Sequence, residues 1–99
     1  MSEKQRAYAI AGEILSMLED HFGSFGESNY FRRAYILTDP VRQVIEFYVS
    51  FPMGEFSSRQ EKYSVTWPEL TNRICAVTEW FTSIRDYMIE MQTEHQAND

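Results

Sequence analysis

Between residues 67 and 91 apolar side chains recur as Trp67, Leu70, Ile74, Val77, Phe81, Ile84, Met88 and Met91, at spacings that alternate between three and four. Only an α-helix returns side chains to one face at that interval, and the alternation is a heptad repeat. Thr66 and Glu69 form a Thr-x-x-Glu capping box, and Pro68 falls in the first turn, where a missing N–H costs nothing. The pattern predicts one long amphipathic helix over 67–93, about 38 Å in length at 1.5 Å per residue. The polar stretch 94–99 is expected to fray. A rod of this kind needs a surface to lie on, so the rest of the chain must supply one.

The N-terminal stretch supplies a second helix, over 1–22. Ala7, Ala11, Ile14, Leu18 and Phe22 share a stripe, widened by Ile10 and Leu15. Ser2 and Gln5 make a Ser-x-x-Gln capping box, and Gly23 stands where a helix often leaves through a left-handed residue.

The middle of the chain changes period. "YFRRAYILT" (30–38) is rich in aromatic and β-branched residues and reads as a strand. Arg33, Tyr35 and Leu37 fall on one of its faces, and Ala34 and Ile36 on the other. "DPVRQVIEFYVSF" (39–51) fits both templates, because Val41, Val44, Ile45 and Tyr48 also match a helix. Seven of the eleven residues from Val41 to Phe51 are Val, Ile, Phe or Tyr, which favours strand. Gln43, Ile45, Phe47, Val49 and Phe51 then share one face; Arg42, Val44, Glu46, Tyr48 and Ser50 share the other. Pro52 and Gly54 open a loop over 52–61, and "KYSVT" (62–66) is a short third strand. The reading is a single α+β domain over 1–99, ordered α-β-β-β-α. Its three-stranded antiparallel sheet, within 30–66, carries both helices on one face. Such a sheet leaves its other face open, here with Tyr48, Val44 and Tyr35 on it.

Composition sets the outer bounds. At 43% hydrophobic residues the chain is not disordered by composition. No apolar run nears the roughly 20 residues that cross a bilayer, and the N-terminus has charges where a signal peptide needs an apolar core. A cytoplasmic protein with no membrane association is the expectation. One cysteine, Cys75, excludes an internal disulfide and paired-cysteine zinc signatures. It abuts the apolar seam, where a small hydrophobe fits, and no spacing brings His21 or His95 to it as a base. The "EDH" at 19–21 cannot converge on one ion, because neighbouring helix residues point about 100° apart. "GSFGES" lacks the lysine of a phosphate loop and follows a helix instead of preceding one. Neither catalysis nor a metal nor a cofactor is expected.

Binding is the remaining class. Trp80 and Tyr87 lie seven apart, on a line beside the heptad seam with Arg73. An indole and a phenol near an arginine have the composition of an interface centre. Glu79, Asp86 and Glu90 add an acidic rim. A 38 Å helix would also overhang a strand of about 20 Å, leaving apolar surface to be covered. Arg32, Arg33 and Arg42 form a lesser patch among Tyr30, Phe31 and Tyr35, a composition seen in nucleic-acid binders. A net charge of −6 argues against nucleic acid. The expected function is a small acidic, non-catalytic inhibitor, immunity or phage anti-defence (anti-CRISPR-like) protein. It would block a protein partner with a basic surface through Arg73, Glu79, Trp80, Asp86, Tyr87 and Glu90. A homodimeric structural, adaptor or chaperone-like subunit is the alternative.

Overall fold

The computed structural model describes residues 2–23, 33–52, 58–72 and 77–97. Helix α1 (Glu3–Phe22) is followed by strands β1 (Arg33–Asp39), β2 (Val44–Pro52) and β3 (Ser58–Thr66), then by α2 (Trp67–Asn72) and α3 (Val77–Ala97). The strands form one antiparallel sheet in the order β1-β2-β3. The α+β expectation holds.

Helix α1 begins and ends as its sequence implies. The Ser2 hydroxyl accepts the Gln5 N–H at 3.2 Å, and the Gln5 side chain accepts the Ser2 N–H at 3.0 Å. At the other end Gly23 takes φ 105°, a conformation an L side chain rarely adopts, and donates its N–H to Glu19 O at 2.7 Å. Its five stripe residues are all buried. Ala7 and Ala11 leave room on the first half of α1, and α2 packs there, with Trp67 edge-on to Tyr8 at 5.9 Å. At the far end Phe22 meets Phe51 edge-on at 5.6 Å.

In the sheet, Ile45, Phe47, Val49 and Phe51 of β2 are buried as a set. The register places Ala34 and Ile36 of β1, and Tyr63 and Val65 of β3, on the same face. Each fully buried aromatic or aliphatic side chain there contributes roughly 1.5–3 kcal/mol. The β1–β2 connection is residues 40–43. Asp39 caps it: one carboxylate oxygen accepts the Val41 and Arg42 N–H groups, both at 3.1 Å, and the other accepts Arg42 Nε at 2.8 Å. Gln43 returns the chain through φ 56°, and its carbonyl accepts the Trp67 N–H at 3.0 Å. One residue thus ties the hairpin tip to the start of α2.

Three spans differ from expectation: residues 41–43, read with the second strand, form the turn before β2. Strand β3 begins at Ser58, so part of the stretch read as a loop is ladder. Its polar residues suit an edge strand, which explains the missing apolar signal. The C-terminal rod is two helices instead of one. The buried residues explain why a straight helix would not serve. Continued at 100° per residue, Leu70 would stand about 40° from the centre of the stripe that α3 buries, and Trp67 about 100°. A straight continuation would keep Leu70 within that stripe and carry Trp67, which is buried, outside it. Ile74 and Cys75 lie outside the described residues. With β2 and β3 each nine residues and α3 twenty-one, helix and strands are both about 30 Å, so the overhang argument fails.

Candidate functional site

Helix α3 lies in the trough between α1 and β3. Among its described side chains Trp80, Ile84 and Met88 are buried. Taking Ile84 as centre, Trp80 and Met88 stand about 40° to either side, and Phe81 and Tyr87 about 60°. Those two flanks are half-buried and each meets one wall. Phe81 lies 6.3 Å from the His21 ring of α1, and Tyr87 meets Tyr63 of β3 edge-on at 5.3 Å. The stripe is about 120° wide, as a helix in a trough needs.

This corrects the ridge read from the sequence. Trp80 is only 4% exposed. It is a core residue, and Tyr87 beside it is a flank packed on Tyr63. The heptad line treats its own width as the whole seam, whereas a helix clasped on two sides buries the neighbouring line too. Arg73 and Arg32 lie outside the described residues. Arg33 and Arg42 are not brought together. One opens β1 and the other sits in the loop beyond its end, about 20 Å away along the strand. Arg42 is engaged by Asp39 at 2.8 Å.

The acidic residues fare differently. Glu79, Asp86 and Glu90 are all exposed and, with Ser83, follow one line along the outer face of α3. Arg85 pairs with Asp86 at 3.1 Å but leans toward the buried side, its guanidinium 5.2 Å from the Phe81 ring centre. An open depression of about 380 Å³ sits on this face, lined by Thr78, Glu79, Thr82 and Ser83. Thr82 donates back to Thr78 O at 2.9 Å, which holds its hydroxyl against the helix. The face therefore offers carboxylates on a rigid helix whose opposite side is locked into the core.

The open sheet face is the second surface. Tyr35 and Tyr48 stack across the β1–β2 pair with ring centres 5.1 Å apart and planes within 4°. Glu46 accepts from the Tyr48 hydroxyl at 3.3 Å and from Lys62 Nζ at 3.2 Å. Desolvation first, and the Glu46 charge second, raise the Tyr48 phenol above its ordinary pKa. Leu37 is 51% exposed on this face, and Val41 at the hairpin tip is 91% exposed. The Glu46 and Lys62 partnership was hidden in the sequence, because Lys62 finds Glu46 only through the β2–β3 register.

Among the described residues no three His, Cys, Asp or Glu side chains gather as a metal site, and no helix is long and apolar enough to cross a membrane. No protein-family model, curated protein or solved structure matches the chain.

Proposed function

We propose that the chain is a non-catalytic binding protein that presents the outer face of α3 to a basic surface on a protein partner. It acts in the manner of an inhibitor, an immunity protein or a phage anti-defence protein. The supporting observation is the exposed line of Glu79, Asp86 and Glu90 on a helix held rigid from behind by Trp80, Ile84 and Met88. Carboxylates so placed steer a basic partner during encounter, and a rigid helix loses little entropy on docking. Trp80 acts as the brace of this surface, and its contact with a partner is not part of the reading.

The test is capture from host lysate on the immobilised chain, the parent against Glu79→Gln, Asp86→Gln and Glu90→Gln combined. The triple variant should retain its fold, associate at least tenfold more slowly with the captured protein, and lose most of the salt dependence of that rate. An unchanged on-rate overturns the reading.

A second reading, a homodimeric structural or adaptor subunit, is favoured by Leu37, a large aliphatic side chain half exposed on an edge strand.

A further inference from the structure

The two edges of the sheet are built differently. Strand β3 carries Arg59, Glu61 and Lys62 among Ser58, Gln60 and Ser64. Charge of that kind on an edge blocks the approach of another strand. Strand β1 has no charge between its terminal residues: Ala34, Tyr35, Ile36, Leu37 and Thr38 run uninterrupted between Arg33 and Asp39. An edge with no lysine or proline inside it and an exposed leucine within it is a template for strand addition.

The backbone shows which groups are on offer. The Ala34 N–H donates to Gly23 O at 2.7 Å, so Ala34 turns its polar groups away from β2. Antiparallel ladders alternate, so Ile36 and Thr38 turn theirs outward as well. Among the described residues no backbone group pairs with Ile36 or Thr38 on that side.

We infer that β1 pairs antiparallel with β1 of a second copy, about a two-fold axis at Leu37. This deepens the homodimer reading and is independent of the outer face of α3. In that register Ile36 of one protomer faces Thr38 of its partner in both directions, so four backbone hydrogen bonds form from the four outward N–H groups. The next rung sets Ala34 against Pro40. Ala34 has its N–H engaged by Gly23 and proline has none, so the ladder stops where neither residue can extend it. Leu37 meets its own copy in a close, non-hydrogen-bonded pair, which removes the half-exposed side chain from water. The strand has a positive start and a negative end, so antiparallel pairing sets Arg33 of each protomer diagonally beside Asp39 of the other. The contact is self-complementary, as a two-fold interface requires, and yields one continuous six-stranded sheet.

The oligomeric state decides it. Sedimentation of the full chain over a wide concentration range should show a dimer. Leu37→Lys, which opposes two like charges across the axis, should halve the apparent mass while circular dichroism and the unfolding midpoint stay near those of the parent. Ser64→Lys, on the other edge, should leave the dimer intact. A chain with Leu37→Cys and Cys75→Ser should oxidise to a covalent dimer within the reversible one, because facing Cβ atoms in a non-hydrogen-bonded pair come to about 4.5 Å, within reach of a disulfide. A parent that is monomeric at every concentration overturns both the pairing and the homodimer reading. A dimer that survives Leu37→Lys and gives no covalent product overturns the β1 pairing alone, because the chain then associates through another surface.

Discussion

Phe47 and Tyr48 are neighbours in β2, yet one is fully buried and the other only half-buried. The two sheet faces use similar rings for different purposes. On the covered face, Phe47 has helices above it, and its worth is the area it removes from water. On the open face, Tyr48 keeps solvent on one side, stacks on Tyr35 and aims its hydroxyl at Glu46. A phenol can occupy that boundary because its polar end finds a partner while its ring packs. Coverage by α1 and α3 sets which face does which work; aromatic content does not.

The contrast breaks most directly at the ring itself. Phe47→Ala should destabilise the fold by about 3–5 kcal/mol in urea unfolding, and Tyr48→Ala by about 1–2 kcal/mol. Similar losses at the two positions would mean that the open face is covered as well.

A smaller effect sharpens the same contrast through Tyr48. Burial and the Glu46 carboxylate both favour the neutral phenol, so its folded-state pKa lies above the ordinary 10.0. The stability contributed is present below pH 10.0 and is lost as pH rises through the folded-state value. In an ultraviolet titration Tyr48 should ionise above its ordinary value, and Tyr48→Phe should remove that late step. Glu46→Gln should lower it only in part, since desolvation is the larger cause. A full return to the ordinary value would make the charge dominant instead.

The smallest effect lies at the tip where the two faces end. The Arg42 N–H, with further help from its guanidinium and the Val41 N–H, holds Asp39 below its ordinary carboxylate value of 3.8. A depressed carboxylate stabilises the fold above that value and loses the contribution as pH falls through the folded-state pKa. Asp39→Asn should therefore lower the unfolding midpoint slightly at neutral pH and flatten its decline in acid. A variant that declines with acid as the parent does would assign the acid sensitivity to another group.

Strand alternation was legible because a strand has only two faces and one of them is covered. The set Ile45, Phe47, Val49 and Phe51 could be read directly; on the opposite face Val44, Glu46 and Tyr48 are half-buried while Ser50 is buried, which alternation alone does not foresee. The stripe and both caps of α1 were legible for a similar reason: each cap is a contact within a few residues of the chain. The face of α3 was not. The heptad line and the line through Trp80 are adjacent on the helix, and one-dimensional spacing does not say how many walls a helix will meet. The acidic line survived because a charged face stays out of the core whatever the walls are. Arg33 and Arg42 looked close in sequence, and a strand lying between them sets them apart.

Local chemistry in the sequence therefore determined where the helices cap, which residues alternate along β2, and which carboxylates face water. Those outcomes depend on interactions a few residues apart or on the cost of burying charge. The tertiary structure alone decided that Trp80 goes inward, that residues 67–72 and 77–97 form two helices, and that Lys62 reaches Glu46. Each of these depends on the position of a surface distant in the chain, and burial is a property of that neighbour as much as of the residue itself.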